Sequence, residues 1–369
     1  MITAHTDVVG SLLRPVALRK ARDARVAGCL THAQFKSIED RAVDEAISLQ
    51  EAAGLDIVTD GEMRRLSFQS QMTEAVDGFG DWDIDAFLWG HWHGDGASGE
   101  RRRERPVNLG VVGRLARKRH LAAEEFVYLR GRTSRVAKVT LPSPSLFVNF
   151  WSPERSQSAY ASVERFLADV VAILRDEVAE LVRLGATYIQ IDAPHYALLL
   201  APETRAFYES RGWTLDQWLS RGIELDNAVI TGFAGVTFAI HLCRGNQEGR
   251  WLVEGDYEPI ARPIFQRIAA TRLLLEYDDD RAGSFAPLRH VPDDKMVVLG
   301  LISTKRPQME APEDLVRRIT EATRFVPLER LALSTQCGFA SSILGNRLSI
   351  DEERRKLERV CETARRIWS

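Results

Sequence analysis

The chain has 369 residues, 45% hydrophobic and 27% charged, with a formal net charge of −3. That balance suits a globular protein with a large core and supplies no global basic field to recruit nucleic acid. Four cysteines in so long a chain make no disulfide framework, and no apolar run approaches the ~20 residues that span a bilayer. Met1-Ile2-Thr3-Ala4-His5-Thr6-Asp7 lacks the charged-then-apolar build of a signal peptide. A cytoplasmic protein with reduced thiols, outside any membrane, is expected.

Short runs rich in Val, Ile and Leu alternate with amphipathic stretches. In chain order, a strand is expected at 8–12, a helix at 35–53 and a strand at 57–59. Strands follow at 136–141, 188–191, 236–242, 273–277, 297–302 and 331–334, with clear helical periods over 163–184, 312–325 and 350–368. The strands are apolar on both faces, as buried parallel strands are. In the stretch 163–184, Phe166, Val170, Ile173, Leu174 and Val178 recur at three- and four-residue steps. Eight such βα pairs point to one (β/α)8 TIM barrel over residues 1–369. No Gly-x-Gly-x-x-Gly opens a helix after a strand, which argues against a doubly wound sheet.

The alternation breaks between strands two and three. Residues 79–135 are expected to form an insertion after strand 2, folded over the barrel mouth. It holds the run Phe87-Leu88-Trp89-Gly90-His91-Trp92-His93 and two basic patches, Arg101-Arg102-Arg103-Glu104-Arg105 and Arg114-Leu115-Ala116-Arg117-Lys118-Arg119. His91 and His93 have metal-binding spacing but no evident third ligand, so a lid or surface loop is expected there. The basic patches read first as a solvated face. Cys29 and Cys361 have no partners in the pattern and read as structural.

Barrel chemistry sits at the C-terminal ends of strands. Ser11, Glu62, Asp192, His241, Cys243, Glu276 and Cys337 all lie at or just past such ends. His241 and Cys243 alternate on a strand, so their side chains face one way. Alone, the pair would more often be packing, and Cys337 a small buried hydrophobe. Glu276 closes Leu273-Leu274-Leu275, and a carboxylate there needs a partner. Brought to one rim, the imidazole, carboxylate and two thiols make a zinc site that could activate a substrate thiol.

These residues resemble the cobalamin-independent methionine synthase family, specifically its catalytic C-terminal barrel. The likeness runs through Val9-Gly10-Ser11-Leu12-Leu13-Arg14-Pro15, through residues 50–62 from Gln50-Glu51 to Gly61-Glu62, and through Ile189-Gln190-Ile191-Asp192-Ala193-Pro194. It continues in His241-Leu242-Cys243-Arg244-Gly245-Asn246, Glu276 and Cys337-Gly338, with the short single-barrel members the nearest in pattern. The resemblance implies a Zn2+ cofactor on His241, Cys243, Glu276 and Cys337, and methyl transfer from methyltetrahydrofolate to homocysteine. It implies that Glu62 and Asp192 hold the substrate's amino group and Ser11 its carboxylate end. The bland alternatives are a helix N-cap for Asp192 and an ion pair to Arg64 or Arg65 for Glu62.

Two departures bear on the donor. The family's full-length enzymes carry a duplicated N-terminal barrel, and none is expected within these 369 residues. Lys305 stands where their seventh strand leads into a histidine read as a general acid, and Ala193 follows Asp192 where an acidic residue is common. Lys305 is therefore the candidate catalytic residue, as proton or charge source, against a plain surface pair with Glu310. The related epoxyalkane:coenzyme M transferases open epoxides with a thiol on the same fold. A transferase joining another thiol to another electrophile is thus the alternative, with Arg306 or the insertion's arginines binding an anionic group. A non-catalytic barrel with a structural zinc is the rival from another class. The partners expected are a small-molecule thiol and an alkyl donor, with a homo-oligomer open.

Overall fold

Seven parallel strands lie side by side in sequence order: β1 (Ile57–Val58), β2 (Val136–Pro142), β3 (Tyr188–Asp192), β4 (Thr237–Leu242), β5 (Arg272–Glu276), β6 (Met296–Ile302) and β7 (Leu331–Thr335). This computed structural model describes residues 2–368 except 81–88, 97–98, 105–108 and 211–212. Phe87 and Leu88 of the aromatic run and Arg105 of the first basic patch lie outside the described residues. Every neighbouring pair in this sheet is parallel, the register slipping once, between Gly300 and Ile302 of β6 against β7, with the helices running between strands. The sheet curls as a TIM-like (β/α) barrel does.

The eighth staves' place is taken by the N-terminal segment, expected as a strand at 8–12. The Asp7 N–H donates to Leu333 O at 3.0 Å and the Leu333 N–H to His5 O at 2.8 Å. On the other side Leu12 N–H donates to Gly61 O at 3.0 Å, and Thr59 Oγ1 to Gly10 O at 2.7 Å. The segment therefore sits between β7 and β1, with a single bridge, Thr6 to Leu333, instead of a ladder. Side chains explain the difference. Asp7 Oδ1 accepts from Val8 N–H, Lys138 Nζ donates to Val8 O, and Gln190 Nε2 donates to Val9 O. Backbone groups satisfied by interior side chains need no strand partner.

Those side chains also fill the barrel. Asp7, Lys138, Tyr188 and Arg272 are all buried. Asp7 meets Lys138 Nζ at 2.7 Å, Tyr188 OH at 2.6 Å and Arg272 at 3.2 Å. Burial works against its charge, but Lys138 and Arg272 outweigh that and hold its pKa below the ordinary value.

The helices follow the apolar periods. His32–Ala53 begins at a capping box, Thr31 with Gln34, and stops at left-handed Gly54, φ 96°. Ile350–Ile367 begins at the Ser349–Glu352 box. No helix among the described residues is long and apolar enough to cross a membrane.

Between β1 and β2 the chain makes two antiparallel pairs, Val76–Phe79 with Val111–Arg117 and Gly90–Trp92 with Arg101–Arg103. The helix Ala123–Arg130 then leads into β2. Its eight residues were too few to give a readable period. The second basic patch meets carboxylates: Arg114 to Asp169 at 3.1 Å, Arg117 to Asp176 at 3.7 Å and Lys118 to Asp77 at 2.8 Å. A solvated, paired face is what this patch forms.

Candidate metal and substrate site

The C-terminal ends of β3 and β4 stand in register, Asp192 beside His241. Two residues on, Cys243 leaves β4, and Cys337 follows β7 from across the rim. His241, Cys243 and Cys337 each place one ligand atom within 4.8 Å of the others, and all three are buried. The two sulfurs are 3.8 Å apart. Neither ring nitrogen of His241 has a hydrogen-bond partner among the described residues. A buried imidazole with both nitrogens idle beside two thiols fits a cation of zinc type.

The thiols titrate as a pair. The Cys337 S–H donates to the Cys243 sulfur, and His241 lies alongside, so Cys243 is pulled well below the ordinary thiol range. Cys337 is pushed well above it, because ionising would lose that bond and set two thiolates together.

Glu276 stands at the end of β5 but is outside this cluster of three. Its Oε1 accepts from Lys305 Nζ at 2.9 Å and its Oε2 from the Arg244 backbone N–H at 2.6 Å. Lys305 is buried on Glu276, with Asp278 3.9 Å away, rather than on surface Glu310. Burial works against its charge, yet Asp278 and Glu276 together raise its pKa above the ordinary value. Arg306 pairs with Asp279 at 3.3 Å.

One cavity joins the metal-type cluster to the other expected residues. Ser11, Glu62, Asp192, His241, Cys243 and Cys337 all line it. Asp192 is pushed up to about 7 by burial and by Glu62, with His241 opposing. Its Oδ1 accepts from Gln190 Nε2 at 2.7 Å, and the short helix that follows has Pro194 at its N-cap position, so Asp192 does not cap it. Glu62 has a left-handed backbone, φ 54°, unusual for a residue with a side chain and frequent at functional sites. The Glu62 N–H donates to Asp60 Oδ1 and the Arg14 guanidinium to Glu62 O, which fixes that turn. Thr140 Oγ1 donates to Glu62 Oε1 at 2.7 Å, with Arg65 at 3.5 Å, while the buried Oε2 has no partner among the described residues. Arg64 turns instead to Asp40, at 2.5 Å.

Three pocket residues, Trp92, Asn246 and Gly338, were given no role from sequence. Trp92 lines the cavity, and its buried indole N–H has no partner among the described residues. It lies over the loop after β4: a Cβ on Gly245 would sit 2.8 Å from its ring. Asn246 ties two rim loops by donating to Thr304 Oγ1 at 2.9 Å and Gly338 O at 3.0 Å. Gly338 lies so close to Ser11 Oγ that a side chain there would overlap it. Only the strand alternation His91-Trp92-His93 hinted that Trp92 faces inward.

Comparison with known proteins decides the family. The cobalamin-independent synthase catalytic domain matches residues 2–365. The chain belongs to that family. It is a methyltransferase of the cobalamin-independent kind, with the barrel fold that its strands describe. Uncharacterized protein YxjH of Bacillus subtilis is 33% identical over 99% of this chain and 94% of its own length. A methionine synthase of Pyrococcus abyssi is 26% identical over 90% of this chain and 85% of its own. A protein of Listeria monocytogenes assigned as a vitamin-B12-independent methionine synthase superposes with a TM-score of 0.74, at 26% identity over 99% of this chain and 98% of its own. In the Syntrophotalea carbinolica 5-methyltetrahydropteroyltriglutamate–homocysteine methyltransferase, by contrast, the match covers 40% of the length.

Proposed function

We propose that the chain transfers a methyl group to the sulfur of a small thiol, homocysteine first, with methyltetrahydrofolate as donor and zinc as cofactor. The observation that carries this is the shared cavity: a His-Cys-Cys cluster at one end and two carboxylates, Asp192 and Glu62, with it. Two acids facing one buried space repel each other and call for a cation, which the ammonium of an amino-acid thiol supplies. Ser11 donates to the carboxylate end of the same substrate.

His241, Cys243 and Cys337 would hold the zinc, with Glu276 as the fourth ligand expected from sequence. Zinc, when bound, keeps a substrate thiol ionised near neutral pH. Asp192, Glu62 and Ser11 orient the thiol's amino-acid end, and Trp92 screens the cavity from water. In the transfer, a sulfur–methyl bond forms as the methyl–nitrogen bond breaks. The electron pair stays on the donor nitrogen, which takes up from solvent the proton that the thiol gave up on ionising. Lys305 holds its own proton tightly, so in this reading it supplies charge beside the site rather than the proton. Residues 1–369 work as one barrel with 79–135 as its roof, in a cytoplasmic setting that keeps the free thiols reduced.

Incubating the zinc-loaded protein with methyltetrahydrofolate and homocysteine, and measuring methionine, tests this. Methionine formation dependent on Cys243 and Cys337 supports it; zinc and homocysteine binding with no transfer from any methyl donor contradicts it. Joining another thiol to an epoxide is the second reading, favoured by the Lys305 ammonium, which could steady a new alkoxide. A thioether product from an epoxide, with no methionine, would select it.

A further inference from the structure

On the strand Gly90–Trp92 side chains alternate. Trp92 is buried against the cavity, whereas the His91 side chain is 45% exposed. His93, two residues on, shares the face of His91. The paired strand brings Trp92 opposite Arg101, and Glu100 is the residue just before Arg101 on that strand. His91 Nε2 lies 3.0 Å from Glu100 Oε2, and the two imidazole rings are 4.4 Å apart. One ligand atom from each of His91, His93 and Glu100 lies within 4.8 Å of the others. The transfer chemistry uses none of the three.

We propose that His91, His93 and Glu100 form a second metal site, for one zinc-like divalent cation, that pins the hairpin carrying Trp92 across the barrel mouth. Two imidazoles and a carboxylate are a borderline donor set, suited to zinc, cobalt or nickel and poorly suited to calcium or magnesium, which take oxygen ligands. The contact with Glu100 occupies one histidine; a shared cation engages both. The ligands come from both arms of the hairpin, so the ion clips them together. His93 passes that restraint to the barrel: its backbone exchanges hydrogen bonds with Trp251 at 2.8 and 2.9 Å, on the loop after β4. The hairpin's inner face is Trp92 and its outer face is the metal site, one residue apart. The proposal needs neither homocysteine nor methyl transfer.

The test counts bound zinc and cobalt on the full-length protein, and follows amide hydrogen exchange. Wild type should bind about two ions per chain, and His91→Ala/His93→Ala or Glu100→Gln about one. The histidine variant should keep the strong thiolate-to-cobalt absorption of the barrel site. Cys243→Ala/Cys337→Ala should lose that absorption and keep the other ion. Filling the second site should slow exchange at His91, Trp92 and Trp251 in wild type and not in the histidine variant. The same ion count and affinity in wild type and the histidine variant would overturn the proposal, leaving the hairpin held by its strand pairing, the His93–Trp251 backbone bonds and the His91–Glu100 contact.

Discussion

Lys305 Nζ lies 2.9 Å from Glu276 Oε1, and both side chains are buried. The expected fourth metal ligand and the expected catalytic cation are thus one ion pair. Removing one member of such a pair strands the other's charge, at a cost of about 3 kcal/mol or more. Lys305→Ala should therefore destabilise the metal-free protein by about that amount. With zinc bound the loss should be smaller, because the ion takes over neutralising Glu276. Denaturation with and without zinc separates the cases; equal losses would remove Glu276 from the metal.

Asp192→Asn keeps the shape of the pocket wall and removes a charge. If Asp192 holds the ammonium of an amino-acid thiol, the KM for homocysteine should rise about tenfold or more, with zinc content unchanged. A thiol without an amino group should be indifferent to the change. Steady-state kinetics with both thiols reads the difference.

Gly245 has φ +89°, and a Cβ there would meet the Trp92 ring at 2.8 Å. Gly245→Ala should cost about 1–3 kcal/mol from the backbone conformation alone and push Trp92 off the cavity. Reduced activity with Trp92 more accessible, by oxidative footprinting, is the expected result. A variant with wild-type activity and footprint would show that Trp92 does not close the site.

Much of this was legible in sequence because the signals were local. Seven strands stand within a residue or two of their expected bounds, since each is a short run rich in Val, Ile and Leu between polar loops. His241 and Cys243 were readable together because alternation on one strand fixes their common direction. Residues that act through distant partners were not readable. Nothing in Leu273-Leu274-Leu275-Glu276 tells that Lys305, 29 positions on, takes its carboxylate. The N-terminal strand failed for a related reason: its hydrogen bonds go to Gln190, Thr59 and Lys138 side chains, which no strand pattern encodes.

Stability should fall as pH rises from mildly acid to mildly alkaline. Glu353 is pushed up to about 8 by burial, against the opposing Leu13 N–H and Arg14. Asp226, buried with Ser143 and Tyr196, is pushed up to about 7. Groups whose folded pKa lies above the unfolded value stabilise fully below the unfolded pKa, and that contribution is lost as pH rises through the folded one. For Glu353 the window runs from 4.5 to about 8. Glu353→Gln retains an oxygen for the Leu13 N–H and removes the ionisation. Urea denaturation at about pH 5 and about pH 9 should show a shallower decline in this variant, and greater stability than the parent at the higher pH. An unchanged slope would mean that Glu353 is ionised in the folded protein at neutral pH.

X-ray absorption at the zinc edge, with and without homocysteine, tests the central claim most directly. We expect sulfur and nitrogen neighbours from Cys243, Cys337 and His241, with zinc–sulfur distances of about 2.3 Å. Adding homocysteine should bring one more sulfur, replacing a lighter neighbour, and the outer ion of the His91–His93 hairpin can be removed by using His91→Ala/His93→Ala. A zinc shell unchanged by homocysteine and by every other thiol, or one without sulfur, would contradict thiol activation at this site.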